Sequence, residues 1–183
     1  MNQCLILVDL QNDYFPGGKM ELSETEKAAN NAKMLLDAFR KTGLPIIHIQ
    51  HISLRTGAAF FLPDSDGAEI HEAVAPQKGE PVIVKHFPNS FRDTALLDDL
   101  KKLEIESLLI CGAMSHMCID STTRAAFDLG FHCIVAEDAC TTRDLTFNGK
   151  KVTASEVHAS FMAALSVPFA EILTTESILK LKK

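Results

Sequence analysis

Runs of apolar residues recur along the chain and predict the strands of a β-sheet. The first run, Cys4–Val8, is apolar at every position and ends at Asp9. Five later segments of similar character are also predicted to be strands: Pro45–Ile52, Val82–Val84, Leu108–Cys111, Cys133–Ala136 and Ala170–Leu173. Strands that are apolar on both faces are typical of a parallel sheet that helices cover on each side.

Segments with the apolar spacing of an amphipathic helix separate these strands. Ser23 and Glu26 form an S-x-x-E pattern that predicts a capped helix start, and Gly43 stands where that helix would end. Further helices are predicted at Asp93–Leu103, through Arg124 and Phe127 to Gly130, at Ala154–Leu165 and at the basic end of the chain. The alternation predicts one α/β domain, residues 1–183, with a doubly wound six-stranded parallel sheet and helices on both faces.

One long segment fits neither pattern. From Ser53 to Pro81 the chain is irregular and rich in glycine and proline. A segment of that length inside a compact domain is typically a lid or a binding loop. We therefore expect this segment to set which substrate the protein accepts.

Composition narrows the class of function. With 183 residues, 46% of them hydrophobic, the chain can bury a core without disulfide or metal staples. Its net charge of −6, without a basic stripe, argues against nucleic-acid binding. Every apolar run is shorter than a membrane span and no charged leader precedes one, so we expect a cytoplasmic protein without a membrane partner.

The five cysteines raise the question of a reactive thiol, because none is spaced as a C-x-x-C motif. Cys4, Cys111 and Cys133 lie inside predicted strands and are expected to be inert core residues. Cys140 falls in a predicted turn, where either role is open. Cys118 follows a strand and enters a helix, a position that lowers the pKa of a thiol. Position alone leaves a nucleophile and a buried structural thiol equally open for Cys118.

Polar residues end several of the predicted strands. Asp9, His51 and Lys85 each close a strand, and Cys118 follows the fourth strand. The carboxyl ends of parallel strands meet at one rim of the sheet, where ligands bind. An acid, a cation and a thiol on one rim can supply a proton carrier, an electrostatic partner and a nucleophile.

Three segments carry a resemblance to a known family: LILVDLQNDYFPGG, VIVKHFPNSFRDT and ICGAMSHMCIDSTTRAAFDLGF. Together with the later VAEDACTT they resemble the signature blocks of the isochorismatase-like cysteine hydrolases, in the family's order. The resemblance implies a catalytic triad of Asp9, Lys85 and Cys118, with the N–H groups of Met114 and Cys118 as the oxyanion hole. It also implies a cis peptide between Ala113 and Met114 and a homo-oligomer, either a dimer or a tetramer.

The same family includes nicotinamidases, which carry a metal on an Asp-x-His pair near the end of the second strand. Here the corresponding stretch is HIQHIS, without that pair. His48 and His51 are three residues apart, so on a strand they point to opposite faces. His71 alone makes no site, and we expect neither a metal nor a cofactor.

The resulting hypothesis is metal-independent hydrolysis of a C–N bond in a small amide, lactam or ureido compound, through a thioester acyl-enzyme. Two alternatives remain at this stage: vinyl-ether hydrolysis of the isochorismatase type, which does not need the thiol, and a catalytically silent member that binds or assembles. The candidate residues that line the substrate pocket are Phe15, His51, Phe60 and Phe91.

Overall fold

A parallel sheet forms the centre of the computed structural model, which describes residues 2–181. The strands are β1 (Gln3–Val8), β2 (Ile46–His51), β3 (Val82–Lys85), β4 (Ser107–Ala113), β5 (His132–Thr141), β6 (Leu145–Phe147), β7 (Lys150–Val152) and β8 (Glu171–Leu173). Six of them form the main sheet in the order β3-β2-β1-β4-β5-β8, and every pairing in it is parallel. The doubly wound six-stranded sheet predicted from the sequence is therefore confirmed.

The helices of the described residues are α1 (Thr25–Thr42), α2 (Leu96–Lys102), α3 (Asp120–Asp128), α4 (Ala154–Leu165) and α5 (Thr175–Leu181). Among their contacts, α1 packs against α5, and α3 packs against α4. No helix within residues 2–181 combines the length and the apolar character that crossing a membrane requires.

The predicted cap of the first helix is wrong. α1 begins after Glu24, which has a left-handed φ of 51° and provides no side-chain cap. Ser23 lies one position too early, and its backbone N–H donates to the Thr142 carbonyl at 2.9 Å. A capping box does occur at α4, where Thr153 and Glu156 cap each other's backbone. The predicted helix end at Gly43 is confirmed, with a φ of 67°.

β1 provides the rigid base for the site. Residues Cys4–Val8 of this strand are at most 2% exposed, and β1 is hydrogen-bonded to β2 on one side and to β4 on the other. Fully burying one leucine or isoleucine side chain stabilises a fold by about 1.5–3 kcal/mol. Asp9, which directly follows this strand, is thus held by the best-packed part of the molecule.

The segment between β2 and β3, residues 53–81, which we call the lid, contains only short 3₁₀ turns. Side chains from the turn after β1 hold its middle part. Gln11 donates to the Ala68 carbonyl at 2.7 Å, and the buried carboxylate of Asp13 accepts from the Phe61 N–H at 2.7 Å. The lid is therefore attached to the same turn that follows Asp9.

A second attachment holds the end of the lid. Glu80 accepts hydrogen bonds from Arg40 of α1, at 2.7 and 2.8 Å, and lies 2.9 Å from Nε2 of His48 on β2. Arg40 hydrogen bonding lowers the pKa of Glu80 to about 2. The Glu80 carboxylate therefore joins the lid to one helix and one strand of the core.

Candidate active site

Three side chains at one rim of the sheet meet around the ammonium group of a fourth, Lys85. Lys85 Nζ lies 2.7 Å from Oδ2 of Asp9, 3.0 Å from Nδ1 of His51 and 3.3 Å from Sγ of Cys118. The parallel register explains part of this, because His51 pairs directly with Lys85 across β2 and β3. The structure thus brings these residues together at one rim of the sheet, as their positions at the strand ends predicted.

The ion pair of Asp9 and Lys85 is fully buried. Burial alone lowers the pKa of Lys85, but its interactions with the Asp9 carboxylate first, and then with Cys118, outweigh burial and the net shift is upward. The ammonium therefore keeps its charge at neutral pH. A buried charge pair of this kind is stable only when the geometry is good, and each partner depends on the other.

The expectation of a depressed thiol pKa at Cys118 is wrong. Burial first, and then the Asp9 carboxylate, raises the pKa of this thiol, and the opposing effect of Lys85 is smaller. Cys118 is only 5% exposed, which is why burial dominates. The resting site therefore holds a protonated thiol that needs a base before it can attack.

A base is within reach. Oδ1 of Asp9 is buried and has no hydrogen-bond partner among the described residues. A carboxylate oxygen of Asp9 and the sulfur of Cys118 lie within 4.8 Å of each other. Oδ2 is already engaged by Lys85, so Oδ1 is the oxygen available to accept a proton.

His51 is the part of the cluster that reaches solvent. Burial, followed by the charge of Lys85, lowers the pKa of His51 to about 4, so the ring is neutral at pH 7. Its Nδ1 faces the Lys85 ammonium, which can only donate, and the ring proton therefore resides on Nε2. Unlike its three neighbours, His51 is partly exposed.

The backbone before Cys118 is unusual in several respects. Gly112 has a φ of 124°, and the Ala113–Met114 peptide is cis. Ser115–Ile119 form a π-helical turn, and the Met114 carbonyl accepts from the N–H groups of Met117 and Ile119. Within residues 2–181 the buried N–H of Met114 has no acceptor. This N–H is therefore available to a ligand.

An aromatic cluster packs between the lid and the Cys118 turn. Tyr14 and Phe61 lie 4.5 Å apart between ring centroids, and Phe60 packs against both. Phe15 stacks on His71 at 3.5 Å, in the same apolar cluster as Met114. Phe91, the fourth candidate lining residue, packs instead on Phe131 against the main core.

Sequence reasoning missed one member of this wall, Tyr14. Tyr14 lies five residues after Asp9 in the motif LQNDYF, and proximity to Asp9 was a usable signal. The place of Phe61 in the wall depends on the hydrogen bond between its N–H and Asp13.

The residues present do not suit a metal. Asp9, His51 and Cys118 offer donor atoms within 4.8 Å of one another. The Lys85 ammonium contacts all three and takes the place that a cation would occupy. His48 pairs with Glu80 instead, away from this cluster. A metal would have to displace a buried, charged lysine.

The other cysteines lie in the core. Cys4, Cys111 and Cys133 are buried in strands as predicted, and Cys140, placed in a turn by the sequence, is a buried residue of β5. All five cysteines are free. Of the five, Cys118 is the one that contacts the Lys85 ammonium.

Comparison with known proteins identifies the family of the chain. The protein-family model described as the isochorismatase domain matches residues 3–177 of the chain. The chain is 51% identical over 180 residues to the uncharacterized isochorismatase family protein YddQ of Bacillus subtilis, covering 98% of this chain and all of that one. It is 29% identical over 175 residues to the nicotinamidase of Escherichia coli, covering 75% and 82% of the two chains.

A solved structure gives the same result in three dimensions. The crystal structure of an isochorismatase from Pseudomonas putida KT2440 superposes with a TM-score of 0.90 at 38% identity, covering 96% of this chain and 89% of that one. The chain belongs to the isochorismatase family of hydrolases.

Proposed function

We propose that this protein is a cysteine hydrolase that cleaves a C–N bond in a small amide, lactam or ureido compound without a metal. The observation that carries the proposal is the contact of Lys85 with both Asp9 and Cys118, with a carboxylate oxygen of Asp9 within 4.8 Å of the thiol sulfur. The nicotinamidase relative gives independent support, since its name describes an amide hydrolase.

The reaction begins with transfer of the thiol proton from Cys118 to Asp9. The thiolate attacks the substrate carbonyl carbon, and the N–H groups of Met114 and Cys118 bind the resulting oxyanion. Lys85 stays protonated and stabilises both the thiolate and the aspartate. The C–N bond then breaks as Asp9 returns the proton to the leaving nitrogen, and the acyl group remains on sulfur.

Hydrolysis of the thioester completes the cycle. Asp9, ionised again, takes a proton from a water molecule that attacks the acyl carbon. The tetrahedral intermediate collapses, the C–S bond breaks, and the acid leaves. The proton held by Asp9 returns to the sulfur, so the site regains its resting state.

His51 and the aromatic wall determine which substrate fits. His51 has a ring nitrogen within 4.8 Å of the Cys118 sulfur, and its neutral ring offers an Nε2–H donor that suits a carbonyl or ring acceptor of the substrate. Phe15 and Phe60 supply apolar surface against which a flat or small substrate can pack. We therefore favour a neutral, compact substrate over a charged one.

Intact-protein mass spectrometry across a panel of small amides, lactams and ureido compounds tests the proposal. A substrate should leave a transient acyl mass on the wild-type chain that peptide mapping places on Cys118. Cys118→Ala should form no adduct and show no turnover. Full activity of Cys118→Ala on isochorismate would instead establish vinyl-ether hydrolysis, and no turnover of any panel member would establish a silent protein.

A further inference from the structure

A chain of polar side chains from β5 and α4 contacts the turn that carries Cys118. Ser115 directly follows Met114 and is fully buried. Its hydroxyl donates to the Thr141 carbonyl of β5 at 3.2 Å and lies 2.8 Å from Nδ1 of His158 on α4. Two elements outside the reactive cluster thus hold the residue next to the proposed oxyanion donor.

The chain continues to an acid. Nε2 of His158 lies 3.5 Å from Oε2 of Glu137 on β5. A neutral histidine carries one ring N–H. With the hydrogen on Nε2, it faces Glu137, which orients the ring, and Nδ1 accepts from the Ser115 hydroxyl. With the hydrogen on Nδ1, His158 donates to the serine oxygen while Ser115 donates to Thr141. The three side chains form one connected path from the protein surface to the Cys118 turn.

We propose that His158 is a positioning residue, which acts through Ser115 to keep the Met114 N–H aimed at the developing oxyanion. The inference rests on the proposed function, because it assigns the Met114 N–H to the transition state. A site of this type requires its donors within about 0.5 Å of the productive position. Ser115 lies beside the Met114 N–H, and the Ser115 hydroxyl is hydrogen-bonded to His158.

The surroundings of His158 allow its side chain to be truncated. It lines an open cavity of about 590 Å³ between α1, β5 and α4, together with Glu137 and Thr141. Its side chain is 22% exposed, so truncation leaves space that water can fill. A change in rate after truncation is thus separable from a collapse of the core.

The chain contains a matched control at the other end of the sheet. Ser107, His132 and Glu171 form the same sequence of groups, with Ser107 Oγ 3.4 Å from Nδ1 of His132 and Nε2 of His132 2.9 Å from Glu171. Each of these residues begins a strand. A seven-residue strand is roughly 20 Å long, so this cluster is remote from Cys118.

Two reactions of Cys118 separate positioning from folding. p-Nitrophenyl acetate acylates the sulfur through an oxyanion, whereas iodoacetamide alkylates it by a displacement that forms none. His158→Ala should slow acetylation by about tenfold or more, which is less than the roughly 100-fold or greater loss expected when an oxyanion donor is removed outright. The same variant should change the rate of alkylation by less than about twofold. His158→Asn, whose amide stands near the Nδ1 position, should recover most of the acetylation rate.

The outcomes are distinct. His132→Ala should leave both rates near wild type, and the melting temperatures of all variants report on folding. Equal loss of acetylation and alkylation in His158→Ala, or an unchanged acetylation rate, would overturn the positioning role. Wild-type protein that takes no acetyl group on Cys118 would overturn the proposed function itself, and the inference with it.

Discussion

One ammonium group organises the reactive residues. Lys85 has three N–H bonds, and each points to a side chain from a different segment of the chain: Asp9, His51 and Cys118. Breaking a buried ion pair by removing one partner costs about 3–5 kcal/mol, because the other charge stays buried alone. Stability and reactivity at this site therefore depend on the same contacts.

Asp9→Asn should move two rates in opposite directions. The Asp9 charge raises the pKa of the Cys118 thiol, so its removal increases the thiolate fraction at pH 7–8 and iodoacetamide alkylation should accelerate. Turnover of p-nitrophenyl acetate should fall, by about 100-fold, because no base remains to activate the water that hydrolyses the thioester. Asparagine tolerates the φ of 51° at this position, so the backbone is retained. Slowing of both reactions would contradict this account.

Wild-type alkylation should also depend on pH in a specific way. An ordinary cysteine has a pKa of about 8.5, and its alkylation rate levels off above that value. Since burial and Asp9 raise the pKa of Cys118, its alkylation rate should keep rising at pH 9 and beyond. A plateau below pH 8, followed by mass spectrometry of the labelled peptide, would indicate an activated thiolate instead.

Chelation should leave activity unchanged. The Lys85 ammonium contacts the three donor groups that a metal would need. Turnover of p-nitrophenyl acetate after exhaustive dialysis against EDTA and 1,10-phenanthroline should match that of untreated protein. Loss of activity together with a stoichiometric metal, and recovery when the metal is restored, would refute metal independence.

For individual residues, the sequence identified which side chains meet at the site better than it predicted the pKa of the Cys118 thiol. Asp9, Lys85 and Cys118 were recognisable because each follows a strand and matches a family motif. The direction of the thiol's pKa shift was not, since it depends on how deeply Cys118 is buried and how close Asp9 lies. His51 was expected as a lining residue, but its contact with Lys85 required coordinates.

Among the elements, β4 shows how a single glycine sets the path toward Cys118. Gly112 pairs with Val8 of β1, where the register between β4 and β5 also shifts. A Cβ at this position would lie 2.0 Å from the Val8 carbonyl oxygen, and its φ of 124° disfavours any side chain. The close approach of β1 and β4 thus requires glycine.

Gly112→Ala should destabilise the fold well beyond a control glycine. Gly130 also has a positive φ, 92°, but open space where a Cβ would stand. Gly130→Ala therefore measures backbone strain alone, about 1–2 kcal/mol. Gly112→Ala should cost about 1–3 kcal/mol more, from the clash with β1. Urea denaturation of both variants gives the comparison, and equal losses would exclude the clash.

The hairpin of β6 and β7 shows what element prediction omitted. Its strands are three residues long, too short to carry an apolar pattern. The turn did carry a signal: Asn148 and Gly149 both have positive φ, as a type I′ turn requires. The long apolar strands and α4 were predictable because their patterns span enough residues to be distinctive.

For the molecule as a whole, the ion pair of Glu80 connects the lid to the core. Its pKa of about 2, against an ordinary 4.5, means that the folded state holds this proton more weakly than the unfolded chain does. The pair therefore stabilises the fold fully above about pH 5, and the contribution is lost as the pH falls toward 2.

Glu80→Gln should lower the free energy of unfolding at pH 7 by about 3 kcal/mol, because the carboxylate that Arg40 stabilises in the folded state is lost. The difference between wild type and variant should shrink steadily between pH 5 and about pH 2. Glu176→Gln, which removes an exposed pair with Lys180, should change stability by less than about 1 kcal/mol. A wild-type-minus-variant difference that is independent of pH would exclude the charge as its cause.

The expected homo-oligomer stays a prediction. It follows from the family resemblance, and light scattering at micromolar concentration measures it directly. A mass of two or four times 20.1 kDa is the expected result. A mass equal to one chain would show the protein to be monomeric under those conditions.

The attachments of the lid show how this fold can change its substrate without changing its chemistry. Gln11 and Asp13 hold the lid through a backbone carbonyl and a backbone N–H, which almost any residue supplies. A lid of different sequence, grafted from a relative or drawn from a library, could therefore dock on the same two anchors. The aromatic residues that it presents can vary while Asp9, Lys85 and Cys118 stay fixed at the rim of the sheet. The lid and the proposed catalytic residues are thus separate pieces of the chain, which makes the lid the natural target for directed evolution of substrate choice.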